Sequence, residues 1–359
     1  MLTFPTLRTL PFRVHRTGAA VGALAVLGLV LSACGTSSSS STTTTTASTS
    51  ASAAATGSVN LVAYSTPKPT YAALINAFNA TTSGSAVTFS QSYGASGSQA
   101  TAVVNGLPAD VVNLSLAPDM TKLVKAGIVS PKWSSTATKG MVTNSIVSFV
   151  VRPGNPKHIT DWASLVQPGV QVITPNPFSS GGARWNLMAA YGAQLHLGKS
   201  EAQATAYLTD LLKHTAAQPS SASAALQSFL SGEGDVLLSY EDAALYAQKK
   251  GEPISIITPP QTILIQNPIA VPLKSTNPSA AKAFTDYLVS PAGQKIWGQQ
   301  GYRPVLPAVA AQFKFPTPKT LFTIDSLGGW TKVSTDFFNP STGVVAKIEQ
   351  GLGVSTSHS

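Results

Sequence analysis

From Val59 onward the sequence alternates short apolar runs with stretches of helical spacing, and this alternation restricts the possible fold more than any other feature. Residues 59–64 read as a buried strand. Tyr71, Leu74, Ile75 and Phe78 then recur at helical spacing before a turn at Ser83-Gly84. Residues 87–92 read as a second strand, 98–104 as a helix, 110–114 as a third strand and 118–125 as a third helix. Such a βαβαβα succession implies a mostly parallel sheet with right-handed crossovers. An apolar run at 146–151 is closed by Pro153-Gly154-Asn155-Pro156, and the rhythm then repeats. A short helix at 161–166 and a strand at 170–174 lead into a long helix near Ser180-Gly181-Gly182. Another helix opens at Lys199-Ser200-Glu201, and a strand at 236–239 precedes an alanine-rich helix at 241–249. Apolar runs at 254–258 and 263–265 carry the chain back, and from Pro278 it is mainly helical, with Phe284, Tyr287 and Leu288 on one face. Two α/β lobes joined by extended crossings leave a cleft, and open α/β sheets bind ligands beyond the carboxyl ends of their strands. The expected division is the first part of lobe 1 at 58–149, lobe 2 at 150–256, and the rest of lobe 1 with the C-terminal helices at 257–359.

The 359 residues suffice for two such lobes, and with 43% apolar and 10% charged residues most of the chain can build cores. A net charge of +9 raises the question of nucleic acid, but the longest basic run is Lys249-Lys250, too short to track phosphates, so no nucleic-acid partner is expected. The single cysteine excludes an intramolecular disulfide. It lies at Leu31-Ser32-Ala33-Cys34, after Arg8, Arg13 and Arg16 and an apolar run at 19–31 that falls short of the roughly 20 residues a bilayer span needs. Residues 1–33 thus read as a lipoprotein signal peptide, and Cys34 sits as in a bacterial lipobox, where it carries the membrane lipid anchor. Residues 34–57, almost all Ser, Thr, Ala and Gly, cannot offset their ordering entropy by burial and read as a flexible tether.

Two loops are candidates for chemistry. Tyr93-Gly94-Ala95-Ser96-Gly97-Ser98-Gln99 lies between a strand and a helix, and so does the segment from Thr174 through Ser179-Ser180-Gly181-Gly182 to Trp185. Glycines allow backbone to approach a ligand, and serine hydroxyls with the first amides of a helix donate to an anion. Read alone, either loop is also an ordinary capped turn. Catalytic readings are weaker: Gly94-Ala95-Ser96-Gly97 lacks the spacing of a nucleophile elbow. Gly198-Lys199-Ser200 ends like a phosphate loop, but the motif needs a glycine where Ala193 stands, and a helix C-cap followed by an N-cap explains the segment better. His158, His196, His214 and His358 have no metal-ligand spacing, so no metal or cofactor is expected.

Longer stretches resemble a known family. Asn155-Pro156-Lys157, Asp161-Trp162, Val172-Ile173-Thr174-Pro175-Asn176-Pro177 and Ser179-Ser180-Gly181-Gly182-Ala183-Arg184-Trp185-Asn186 are similar to the sulfate/thiosulfate-binding proteins of bacterial ABC importers. The resemblance continues through Gly234-Asp235-Val236, Tyr302-Arg303-Pro304 and Gly328-Gly329-Trp330, covering residues 59–330. It implies a two-lobed periplasmic-binding-protein type II fold, α/β in class, with the ligand cleft between lobes. It also implies a monomeric, extracytoplasmic, non-enzymatic protein that holds dehydrated sulfate and delivers it to ABC permease subunits. Carried over residue by residue, Ser96 donates its hydroxyl, and Ser180, Gly181 and Gly182 donate by side chain and main chain. Thr66 falls at a turn where the family uses the backbone amide of an aspartate, Ala222 near a further backbone donor, and Tyr240 where the family has a tryptophan N–H.

Three departures bear on the pocket. Thr66 changes a side chain but keeps the amide, Tyr240 replaces an obligate donor with a hydroxyl that also accepts, and Ser220-Ser221-Ala222-Ser223-Ala224 replaces a Ser-Gly-Ala-Arg-Gly pattern. Sulfate carries no proton near neutral pH, so a suitable pocket contains donors only. Arg184 is expected to pair with a carboxylate or add to the positive field of the cleft, and Glu241 to be structural, because a carboxylate facing sulfate repels it. The runner-up ligands are thiosulfate, molybdate or phosphate. A secreted sulfatase or phosphatase would need a metal or a covalent nucleophile.

Overall fold

The computed structural model describes residues 55–356. The signal sequence, Cys34, nearly all of the tether and His358 lie outside them. The first half runs β1 (Thr56–Tyr64), α1 (Lys68–Asn79), β2 (Ala86–Gly94), α2 (Ser96–Val104), β3 (Val111–Asn113), α3 (Ala117–Lys125) and β4 (Met141–Val151). A 3₁₀ turn (Ala163–Val166) leads to β5 (Val172–Ile173), α4 (Gly181–His196), α5 (Glu201–Lys213), β6 (Thr215–Ala217), α6 (Ala222–Leu230), β7 (Val236–Tyr240), α7 (Glu241–Lys249) and β8 (Ser255–Ile257). The chain returns through β9 (Gln261–Ala270) to α8 (Pro278–Leu288), α9 (Pro291–Gln299), α10 (Pro307–Ala310), β10 (Thr320–Phe322), α11 (Gly329–Asp336) and α12 (Val344–Gly351).

The strands lie in the order β2-β1-β3-β9-β4-β7-β5-β6, with β10 on β9 and β8 on β4. The expectation of a mostly parallel sheet holds only within each half: β2, β1 and β3 are parallel, and so are β7, β5 and β6. Between these triplets lie β4 and β9, the two longest strands, which pair antiparallel with each other from Ile146↔Leu264 to Met141↔Pro268. One carries the chain out of the first half and the other brings it back, so they must run in opposite directions. The C-terminal end of β4 is antiparallel to β7, and that of β9 is antiparallel to β3.

Each half has its own apolar packing. Tyr71, Phe78, Phe284 and Trp297 pack around β1 between α1, α8 and α9. Phe149, Trp162, Trp185 and Leu208 pack around β4 and β7 against α4 and α5. Two further corrections concern local structure. β1 begins at Thr56, inside the stretch read as tether, because residues 56–58 pair with 86–88 through backbone while their side chains stay exposed. β6 and α6 were not foreseen. β6 has three small residues, and α6 buries only Ala225 and Phe229, within a serine- and alanine-rich stretch. The helix at Ser200 is as expected: Ser200 and Gln203 form a capping box, and Gly198 ends the preceding turn at φ +80°. Among the described residues no helix is long and apolar enough to cross a membrane.

Candidate anion-binding site

Thr66, Ser96, Ser180, Gly181, Gly182, Ala222 and Tyr240, far apart in sequence, line one small pocket. Tyr64, Ser65, Gly94, Ala95 and Ser115 complete its wall. Both parallel triplets send the carboxyl ends of their strands toward it, and a helix starts after each turn. Thr66 precedes α1, Ser96 opens α2, Ser180 caps α4, Ala222 opens α6 and Tyr240 caps α7. Five helix N-termini therefore meet at one place, each bringing its first-turn amides and the positive end of its dipole. No charged side chain lines the pocket. Its free space is about 10 Å³, on the scale of one water-sized group, so only an occupant of few atoms fits.

An N-cap serine usually turns back to its own helix, as Ser221 does toward the Ala224 amide at 3.2 Å. Ser180 makes no such capping bond, which leaves its hydroxyl for the pocket. Gly181 is required by close approach: a Cβ there would stand 2.8 Å from Ser115 Oγ and closer still to Leu116 Cδ2. The two halves are stitched together around the pocket. The Gly97 amide donates to the Ser179 carbonyl at 3.1 Å, Trp185 Nε1 to the Ser115 carbonyl at 2.9 Å, and the Ser223 amide to Ser65 Oγ at 3.4 Å.

Ser96 lies in the pocket wall, but its hydroxyl is engaged elsewhere. It donates to Asp119 Oδ2 at 2.5 Å and accepts from the Ser115 amide at 2.9 Å, tying α2 to α3 and to the turn after β3. In this arrangement the hydroxyl hydrogen points to Asp119 rather than into the pocket. Ser115 was missed by sequence reasoning; its signal is its place just past the carboxyl end of β3, where α/β sheets gather ligand loops. Its hydroxyl stands 2.6 Å from Tyr240 Oη. Burial pushes the Tyr240 phenol well above its usual range despite hydrogen bonds with Ser115 and Asn267, so it stays protonated.

Arg184 stays out of the pocket. Its Nε donates to the Pro177 carbonyl at 2.8 Å, and its guanidinium lies 5.0 Å from the centre of the Phe338 ring. Burial lowers its pKa, and the nearby Asp119 charge opposes that shift. Glu241 is structural, as expected: Arg303 grips it with Nε at 2.6 Å and Nη2 at 2.9 Å, joining α7 to the segment after α9. Its neighbour Asp242 is 1% exposed. Burial pushes its carboxyl up to about 7 against the opposing effect of the Ser145 and Tyr302 hydroxyls, and neither of its oxygens has a well-formed hydrogen bond.

A curled α/β sheet in two halves, with helix N-termini converging on an uncharged pocket between them, defines the class of periplasmic solute-binding folds. The chain matches the family described as bacterial extracellular solute-binding protein over residues 59–303, and it belongs to that family. A sulfate-binding protein of Synechococcus elongatus is 40% identical over 305 residues, covering 82% of this chain and 87% of the relative. A thiosulfate-binding protein of Pseudomonas aeruginosa is 32% identical over 266 residues, 71% of this chain and 80% of that protein. Among solved structures, the sulfate-binding protein SubI from Mycobacterium tuberculosis H37Rv superposes with a TM-score of 0.77 at 47% identity, over 79% of this chain and 99% of that one. The family consists of binding proteins, and this chain is a binding protein rather than an enzyme.

Proposed function

We propose that this protein captures sulfate outside the cytoplasm and delivers it to an ABC permease for uptake. The observation that carries this reading is the convergence of five helix N-termini on a pocket with no charged side chain. A dianion without protons needs donors from every side and is repelled by carboxylates, and this wall meets both demands through amides and hydroxyls. Hydrogen bonds to a charged group contribute roughly 1.5–3 kcal/mol each, so several exceed the about 8 kcal/mol of micromolar binding even after desolvation. The binding residues are Thr66, Ser180, Gly181, Gly182 and Ala222, with Tyr240 acting through its hydroxyl and Ser96 through its backbone and its hold on the loops. Lobe 1 comprises 58–149 and 257–359 and lobe 2 comprises 150–256, with the β4–β9 pair as the crossing. The protein acts as a monomer held at the membrane by lipid on Cys34.

Thiosulfate is the second reading, favoured by the likeness to the Pseudomonas protein. Calorimetric titration of the purified protein with sulfate, thiosulfate, molybdate and phosphate at a pH near 6 separates these ligands. Sulfate is expected to bind more tightly than phosphate, which carries a proton at that pH. Tighter binding of phosphate would overturn the assignment.

A further inference from the structure

We propose, building on the sulfate reading, that the site extends beyond the anion pocket and also takes a short aminoalkanesulfonate, its sulfonate among the helix N-termini and its ammonium beside Asp242. A second cavity of about 230 Å³ shares Ser65, Thr66 and Ala222 with the anion pocket. Its chemistry is different. Leu226 of α6 and Ala243 of α7 give it apolar walls, and Asp242 lines it. Lys68, Lys250 and Glu252 line it as well.

Two buried polar groups lining this second cavity lack well-formed hydrogen bonds, although the Ser145 and Tyr302 hydroxyls lie near the Asp242 carboxyl. Thr66 Oγ1, which borders both spaces, has no such bond, and neither has either carboxylate oxygen of Asp242. A buried carboxylate with no cation beside it is costly, and an arriving ammonium lowers that cost. Burial has already pushed this carboxyl up to about 7; a neighbouring ammonium would bring it back toward the ionised form. A sulfonate offers donors three oxygens without protons, as sulfate does, and its fourth substituent is carbon. That carbon needs a way out of the anion pocket, and the wall at Thr66 and Ala222 is the one the two spaces share. One small zwitterion thus matches a pocket of donors on one side and the buried Asp242 carboxylate on the other.

The test is titration of the purified protein with sulfate, 2-aminoethanesulfonate and ethanesulfonate, each alone and in competition. The aminosulfonate is expected to displace sulfate and to bind about tenfold or more tighter than ethanesulfonate. Asp242→Asn should abolish that difference, and Ala243→Leu, which fills the cavity from α7, should weaken the aminosulfonate about tenfold. Both variants should hold sulfate nearly as wild type does. If sulfate binds but millimolar aminosulfonate fails to compete, or if the two sulfonates bind equally to the wild type, the inference falls while the sulfate reading stands. Failure of sulfate itself to bind would instead overturn the reading on which it rests.

Discussion

Replacing Gly181 with alanine tests whether the two halves must approach as closely as they do here. Gly181 has no left-handed backbone, so an alanine adds no strain of its own. The added Cβ would stand 2.8 Å from Ser115 Oγ, 2.9 Å from Ser115 Cβ and nearer still to Leu116 Cδ2. Leu116 is fully buried and cannot swing aside, and Ser115 is held by its 2.6 Å contact with Tyr240. Overpacking of this kind costs about 1–3 kcal/mol, and because it falls on the closed approach it should lower sulfate affinity about 5- to 150-fold. Gly182→Ala is the control. Its Cβ would meet Ala222, Ser180 and Tyr240 at 3.4–3.6 Å, which the surrounding protein accommodates, yet it takes space in a pocket that has almost none to spare. Gly182→Ala should therefore weaken binding without shifting the urea midpoint, whereas Gly181→Ala should lower both. Wild-type affinity and midpoint in Gly181→Ala would refute the reasoning.

Ser96→Ala removes one hydrogen bond to Asp119 and takes the acceptor from the buried Ser115 amide, so it should lower the unfolding free energy by about 1–3 kcal/mol, whereas Ser180→Ala should weaken sulfate binding by about 1.5–3 kcal/mol and leave stability unchanged. Denaturation and titration of both variants check this contrast. Arg303→Ala leaves Glu241 buried and unpaired, and a loss of about 3–5 kcal/mol in urea unfolding is expected. Burial alone would raise the Asp110 pKa, but hydrogen bonds from Ser275, Asn60 and Asn277 outweigh it and hold the carboxyl at about 2, below its model-peptide value of 3.8. Its contribution is therefore present above pH 4 and lost as pH falls toward 2, and Asp110→Asn should flatten that limb of the stability profile. Asp242 has the opposite sign: with its folded pKa raised to about 7, it makes stability fall as pH rises from about 4 to 7, and Asp242→Asn should remove that slope.

Much of the fold was legible because it depends on large buried side chains at regular spacing. Tyr71, Leu74 and Phe78 mark α1 this way, and β7 opens on the apolar run Val236-Leu237-Leu238. What escaped sequence reasoning is held by backbone. The start of β1 and all of β6 pair with neighbours through amides and carbonyls, and nothing in their small side chains records it. The antiparallel β4–β9 pair was hidden because apolar runs reveal strands but not their directions. At the site, the glycines and serines were visible as types suited to an anion, and all seven candidates line one pocket. The role of Ser96 was not visible, since it depends on Asp119, 23 residues away, accepting its hydrogen. A serine at a helix start can donate to a ligand or to a neighbouring carboxylate, and only tertiary contact decides between them.

The Ser115–Tyr240 contact bears most directly on which anion the pocket prefers. At 2.6 Å one hydroxyl must donate to the other, and either can do so. If Tyr240 donates, the hydrogen of Ser115 is free to point elsewhere and the phenol oxygen keeps lone pairs that can accept; if Ser115 donates, the phenol hydrogen is free instead. The pair therefore offers one hydrogen to a fully deprotonated anion, or a lone pair to an anion that carries a proton, by a rotation of two O–H bonds. The amides of Gly181 and Gly182 have no such choice, since an N–H only donates. On the proposed assignment, preference for sulfate rests on the glycine end of the pocket, and tolerance of a protonated oxyanion on the tyrosine end. An indole N–H at position 240 would remove the phenol's lone pairs and keep a donor there, so the change in phosphate-to-sulfate ratio reports on the phenol oxygen.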